Sequence, residues 1–315
     1  MKSIRFAFGS FLFVALFATA SMAQNDRSFV SGDGADVSPC TLMLPCMSFN
    51  RAISQTNVGG EVIALNSASY APFTVTKPVT VEAPAGVHAG ITVTSGDGID
   101  IGAAMSEPVV LRGLTINNQG STGNGILWNP GGGTLHVENC VLNGFTGGSG
   151  IEILGPGNIL VKDTIASGNL IGIFVFVNAA GAASVAMDRV NLGGNQGPGI
   201  ELAAYAPGAV INGAIRNSSA SGNSGSNGVM VKGSAGGVAS LDMESCMVAN
   251  NGVGVEAAVI GSASAAITLS NCTIDNNTGN GVAIDAGSTI CSRGNNTIIR
   301  NGTNVSGSLT PIAAQ

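Results

Sequence analysis

The sequence predicts an all-β fold, a parallel β-solenoid of about eight or nine coils behind an N-terminal cap. Three observations lead there. A short Gly-Ile/Val signature recurs every 22 to 29 residues. Within each repeat, apolar and polar residues alternate with a period of two, the spacing of a strand. The 315 residues include 47 Gly and only 4% aromatics, which supplies tight turns and aliphatic strands rather than helices.

The signature reads GIDI at Gly98, GILW at Gly125, GIEI at Gly150 and GIFV at Gly172. It continues as GIEL at Gly199, GVMV at Gly228, GVEA at Gly254 and GVAI at Gly281. A second signature precedes the later copies. It runs VENCVLNGF (137–145), VKDTIASGN (161–169), MDRVNLGGN (187–195), IRNSSASGN (215–223), MESCMVANN (243–251) and LSNCTIDNN (269–277), and RGNNTIIRN (293–301) closes it. Helical repeats would need a 3.6-residue period and would tolerate this much Gly and Asn poorly. A propeller blade needs about 40–50 residues and four longer strands. A coil of short strands stacked about 4.8 Å from its neighbours fits the observed repeat.

Stacking turns the alignment into columns. Cys140, Thr164, Val190, Ser218, Cys246, Cys272 and Asn296 form one; Leu142, Ala166, Leu192, Ala220, Val248, Ile274 and Ile298 form another. Both stay small or apolar, so both are expected to face inward, with the cysteines as small buried hydrophobes. Parallel inward side chains rarely meet disulfide geometry, which disfavours a Cys246–Cys272 bond. A third column is Asn169, Asn195, Asn223, Asn251, Asn277 and Asn301. Asn tolerates a left-handed backbone at sharp turns, and its amide can bond the Asn of the next coil, so this column is expected to do both.

The ends are expected to differ from the coils. Lys2 and Arg5, the apolar stretch Phe6 to Ala20 and the small residues of Ser21-Met22-Ala23 match a signal peptide cleaved after Ala23. Residues 24–60 are assigned to the cap, because a solenoid end exposes core and strand edges that need covering. There Ser48 to Ile53 reads as a short amphipathic helix stopped by Gly59-Gly60. Cys40 and Cys46 flank a short Pro-containing loop and are expected to form a disulfide. The strands GEVIAL (60–65) and KPVTVEA (77–83) begin the solenoid, which is assigned to 61–301. Residues 302–315, rich in Ser, Gly and Thr, are expected to be loose.

Charge narrows the partners. The chain carries a net charge of −6 with 12 Lys and Arg, and loss of Lys2 and Arg5 takes it to −8. That is no basic footprint for nucleic acid. No stretch after the leader reaches the roughly 18 apolar residues of a membrane span. No P-loop, zinc spacing or nucleophile elbow is found, so no cofactor and no metal is expected. His88 and His136, the two histidines, have no evident partner and are placed at the surface.

PCTLMLPCMSFNRAI, GGEVIAL and FTVTKPVTVEAP resemble the cap and first coils of exported bacterial right-handed parallel β-helix repeat proteins. The later NCxIxNNxxxGV coils are similar to the same group, which shares the pectate-lyase-like superfold. The resemblance covers roughly residues 28–301. It implies a right-handed β-helix whose active groove, in the members that are enzymes, lies on the outward residues of one sheet. The superfold hosts lyases, hydrolases, esterases, epimerases, phage spikes and non-enzymatic surface proteins, so function has to come from the residues.

By that resemblance the Gly-Ile/Val strand is the candidate face. Its Ile or Val points in, so the next residue points out. That outward column runs Asp100, Leu127, Glu152, Phe174, Glu201, Met230, Glu256 and Ala283, with acids on alternate coils. A second outward column runs through Leu154, Phe176, Ala203, Lys232, Ala258 and Asp285. Acids two coils apart stand about 9.6 Å apart. A retaining glycosidase needs about 5–5.5 Å and an inverting one about 6.5–9.5 Å. Glu256 and Asp285, diagonal on adjacent coils at about 8 Å with Lys232 one coil before, form the candidate catalytic cluster. Phe174 and Phe176, with Glu152 and Glu201, form the candidate ligand-binding strip, suited to stacking on sugar rings. An acidic solvated face is the plain alternative for the first, and cover by an insertion for the second. Trp128 falls on an inward column.

The leading expectation is a secreted or periplasmic binding protein without catalytic activity, its ligand a polysaccharide or cell-surface glycan. The first alternative is a polysaccharide lyase or glycoside hydrolase acting on the same face. The second is an adhesin-like structural protein.

Overall fold

The computed structural model describes residues 24–102, 108–129, 132–223 and 225–313. The signal peptide expected at 1–23 lies outside the described residues. The rest is a parallel β-solenoid with one short helix. One long sheet has twelve strands, from Asn25–Val30 to Thr310–Pro311, and a second has ten, from Phe73–Val75 to Thr303–Ser306. A third face carries five short strands, from Ala68–Tyr70 to Ile165–Ser167, and then four more, from Ser219–Ser221 to Thr297–Ile299. The gap between those two sets is one coil, where Asn191 alone bridges Ile165 and Ser219.

Ten strands in one sheet mean nine steps along the axis, in agreement with the repeat count. Every pairing among the named strands is parallel. The strands read by alternation: Ile151 and Ile153 are wholly buried, while Glu152 between them and Leu154 after them are part-exposed. Burial of these aliphatic ladders drives the fold, at roughly 1.5–3 kcal/mol for each large side chain taken from water. Both predicted inward columns are buried; Cys140, Cys246 and Cys272 are free thiols within the core, and only the last members, Asn296 and Ile298, are partly exposed.

The Asn column forms a continuous amide ladder. Asn195 N–H donates to Asn223 Oδ1 at 2.9 Å, Asn223 to Asn251 at 3.0 Å, and Asn251 to Asn277 at 3.0 Å. Each Nδ2 also donates to a backbone carbonyl lying in the opposite direction along the axis, Asn251 to Ala220 O at 3.0 Å for example. The left-handed conformation expected of these residues belongs to their predecessors instead: Gly168, Gly194, Gly222, Asn250, Asn276 and Arg300 have φ from 53° to 73°. The physical reason is that an Asn whose amide is aimed into the core leaves the reversal of the chain to the residue before it. A second left-handed column follows the twelve-stranded sheet at Asn139, Asp163, Arg189, Asn217, Ser245 and Asn271.

The amide ladder also explains the Gly of the Gly-Ile/Val signature. A Cβ on Gly199 would lie 2.9 Å from Asn223 Nδ2 and 2.7 Å from Gly228 O; on Gly254 it would lie 2.3 Å from Gly281 O. Glycine is required here by close approach, since these positions have no positive φ.

The cap differs from its expected outline. The helix spans Phe49–Gln55 and ends at Thr56, whose extended backbone starts the strand Thr56–Ala64 directly. Gly59-Gly60 therefore lie inside a strand instead of stopping the helix. Ser48 is the N-cap, its Oγ accepting from Arg51 N at 3.2 Å. Asp36 supports it from below, accepting from Met47 N at 3.0 Å, Ser48 N at 2.9 Å and Ser48 Oγ at 2.7 Å. Phe49 packs its ring 5.0 Å from Tyr70 and 4.8 Å from Phe73, so the helix seals the first coil. The Cys40–Cys46 disulfide is present. At the other end, Thr303–Ser306 and Thr310–Pro311 pair with the ten- and twelve-stranded sheets, so the segment expected to be loose after Asn301 continues the solenoid.

A charge ladder runs along the outer face of the twelve-stranded sheet. Glu82, Arg112, Glu138, Lys162, Asp188, Arg216 and Glu244 are register neighbours in that order, with alternating sign. Arg112 bonds Glu82 at 3.2 Å and Glu138 at 3.0 Å, and Arg216 pairs with Asp188 at 3.3 Å. Exposed pairs of this kind contribute about 0–1 kcal/mol each. Their larger effect is on register, because a slip by one coil would bring like charges together.

Candidate functional site

The outward column of the ten-stranded sheet is as the alternation predicts. Asp100 pairs with Leu127, Leu127 with Glu152, Glu152 with Phe174 and Phe174 with Glu201. Glu201 pairs with Met230, Met230 with Glu256 and Glu256 with Ala283. In the second column Leu154, Phe176, Ala203, Lys232 and Ala258 are neighbours in the same way.

Side chains gather at the middle of this face. The rings of Phe174 and Phe176 are stacked, 5.7 Å between centroids and 19° apart in plane. Tyr205 meets Phe176 edge-on at 5.3 Å, and the Lys232 ammonium lies over the Tyr205 ring, 5.4 Å from its centroid. Between them Ala203, an outward residue, is only 1% exposed, so the aromatic side chains cover a small floor. Among the described residues no insertion covers the strip, and Phe174 and Phe176 remain part-exposed.

Electrostatics tie Lys232 to its neighbours. The Tyr205 side chain, then the carboxylates of Glu201 and Glu256, hold its ammonium above the usual range against the opposing effect of burial. Burial pushes the Glu201 carboxyl up, and Lys232 only partly offsets this. Burial likewise raises Glu152, with the Asn124 side chain working against it and Asp97 adding to it. Glu256 takes a hydrogen bond from the Asn227 amide.

The register places the three predicted catalytic residues on one face: the Lys232 strand lies between those of Glu201 and Glu256, and Asp285 follows the next strand, its N–H donating to Ala257 O at 3.1 Å. Asp285 sits on the exposed turn after its strand, where its backbone carbonyl rather than its carboxylate is engaged, accepting from Ser288 N at 3.0 Å and Oγ at 2.8 Å. Of the predicted binding residues, Phe174 and Phe176 form one surface, with Glu152 and Glu201 one coil to either side. Tyr205 and Asn227 were not anticipated. The signal for Tyr205 was available, since a period of two from Glu201 through Ala203 turns it outward. His88 is exposed and His136 half-buried, 3.8 Å from Glu138. Trp128 is in the core. Among the described residues, no three His, Cys, Asp or Glu side chains converge to hold a metal ion.

A depression of about 690 Å³ lies elsewhere, on the twelve-stranded sheet over Ala186 and Ala214. Small side chains beside the charge ladder are enough to make it. No aromatic side chain lines it, and its Asp188 and Arg216 are already paired. The aromatic face is the better candidate of the two, because it joins stacking surface to flanking carboxylates.

No curated protein is matched by the sequence. Among solved structures, that of pectate lyase Pel9A superposes with a TM-score of 0.58 at 15% identity, over 91% of this chain and 80% of the other. The A-module of the Azotobacter vinelandii mannuronan C-5 epimerase AlgE6 follows at 0.46 and 13%, over 80% and 89%. At these identities the likeness concerns the fold alone. The family model described as the right handed beta helix region matches residues 89–301, and the chain belongs to that family.

Proposed function

We propose that this chain is an exported carbohydrate-binding β-helix that holds its ligand on the ten-stranded sheet without cleaving it. The observation that carries this reading is the stacked Phe174–Phe176 pair with Tyr205 against it, a part-exposed aromatic strip flanked by Glu152 and Glu201. Aromatic faces take the apolar faces of sugar rings, and carboxylates beside them accept hydrogen bonds from hydroxyls. The Cys40–Cys46 disulfide supports an oxidising compartment, and among the described residues no helix is long and apolar enough to cross a membrane. The spacing of the acids supports a non-catalytic role. Glu152, Glu201 and Glu256 recur on every second strand, about 9.6 Å apart, outside the retaining range and just beyond the inverting one.

The test is a polysaccharide panel read for both binding and product release. Binding without release is expected, and the double variant Phe174→Ala/Phe176→Ala is expected to weaken binding at least tenfold, about 1.4 kcal/mol, with little change in melting temperature. Unchanged binding in that variant would remove the strip as the ligand surface. A second reading, a polysaccharide lyase or glycoside hydrolase, is favoured by Lys232 standing between Glu201 and Glu256. Product release abolished by Glu256→Gln or Asp285→Asn would establish it in place of the first.

A further inference from the structure

The charge around the aromatic strip bears on which sugars it accepts, given that it accepts sugars as proposed above. Phe174 has Glu152 as its register partner on one side and Glu201 on the other. A sugar ring laid on Phe174 therefore has a carboxylate about 4.8 Å along the axis in both directions. That is within reach of its ring substituents.

The two carboxylates are not equivalent. Glu201 faces Lys232, which partly neutralises it. Glu152 has no cation among the groups that set its charge state; its charged neighbour is Asp97, which also acts on Asp100. The Glu152 side of the strip is thus an unneutralised acidic seat beside an aromatic ring. Lys232 already has company: its ammonium lies over the Tyr205 ring, 5.4 Å from the centroid, and the Glu201 and Glu256 carboxylates favour its charged form from beyond ion-pair distance. Drawing it toward a ligand carboxylate would weaken its favourable effect on half-buried Glu201.

We propose that the strip selects amine-bearing sugars, a glucosamine-type polymer whose ammonium sits at Glu152, and rejects uronates. A neutral glycan stacks but leaves the carboxylate without an ionic partner. A uronate meets two carboxylates at the distance of its own substituents.

The experiment compares hexamers of glucosamine, glucose and galacturonate by calorimetric titration against the full chain at about pH 6. Because burial raises the Glu152 carboxyl, the comparison is repeated at about pH 7, where a larger glucosamine-to-glucose ratio is expected if ionised Glu152 is the seat and the sugar amine is still charged. The glucosamine hexamer is expected to bind about tenfold more tightly than the glucose hexamer, the weight of one charge-assisted hydrogen bond, and the galacturonate hexamer not measurably. Glu152→Gln, its melting temperature checked, is expected to bring the glucosamine-to-glucose ratio to about one. Added salt should shrink the same ratio. Binding of the glucose hexamer, and its loss in Phe174→Ala/Phe176→Ala, reports the glycan-binding reading by itself. Glucose and glucosamine bound equally, or galacturonate bound best, overturns the charge selection and leaves glycan binding standing. No binding of any hexamer removes both.

Discussion

Asn251 shows how much one residue of a solenoid carries. It is 1% exposed, and its side chain serves two coils. Oδ1 accepts from Asn223 N and Asn223 Nδ2 at 3.0 Å, while Nδ2 donates to Ala220 O and to Asn277 Oδ1, also at 3.0 Å. Asn251→Ala would leave those partners buried and unpaired, at about 1–3 kcal/mol for each group that finds no water. A loss of about 2–4 kcal/mol in chemical denaturation is expected, larger than for truncating an exposed Asn such as Asn139; a loss under 1 kcal/mol would show that water replaces the amide. The recurrence of this Asn was plain in the sequence. Its backbone conformation was not, because the left-handed turn and the buried amide are adjacent positions and both favour Asn or Gly. Tyr205 was overlooked for a different reason: it lies just past a short strand, where alternation is easily taken to have ended.

The helix Phe49–Gln55 is too short to persist by propensity and is held by its cap and its packing. Burial works against ionisation of Asp36, but the hydrogen bonds from Ser48 and Met47 outweigh it and hold the carboxyl below its ordinary value. A depressed folded value means that this contribution is fully present above the unfolded pKa, about 3.9, and is lost as pH falls through the folded one. Asp36→Asn is therefore expected to lower stability by at most about 1 kcal/mol at neutral pH, since the carboxyl is exposed and screened, and to make less difference below about pH 3, measured as melting temperature against pH. A constant difference across that range would assign the effect to shape instead of charge. The helix itself was legible from Ser48 and the Phe49–Ile53 spacing. Its end was not, because Gly59-Gly60 look like a stop signal, whereas Thr56 leaves the helix three residues earlier to pair with the strand Asn25–Val30.

For the whole molecule, nearest-neighbour stacking makes stability a sum over coils. The two ends are unequal. The N-terminal coil is sealed by the helix and the disulfide-closed loop, whereas the strands Thr297–Ile299, Thr303–Ser306 and Thr310–Pro311 are largely exposed. Hydrogen exchange is expected to be slowest in the central strands, from about Gly150 to Val255, and fastest in these last coils. Uniform protection along the chain would mean that the solenoid opens as a single unit. The alternating charges from Glu82 to Glu244 belong to this scale too, since they favour one register across the strands they span.

The repeat determined, before any coordinates, the parallel solenoid, the number of its coils, and which residues face in or out. Stacking forces equivalent positions into columns, and a period of two leaves only two faces, so composition along a column is enough to assign it. The family was indicated by the resemblance of the cap and of the NCxIxNNxxxGV coils, and the family match over residues 89–301 agrees with it. What only the tertiary structure decided is how side chains on different coils stand to one another: Lys232 over the Tyr205 ring with its charge favoured by Glu201 and Glu256, Asp36 bonded to the helix cap, and Asp285 exposed just past its strand. Those contacts depend on side-chain reach and on the paths of the turns, neither of which a periodic pattern constrains.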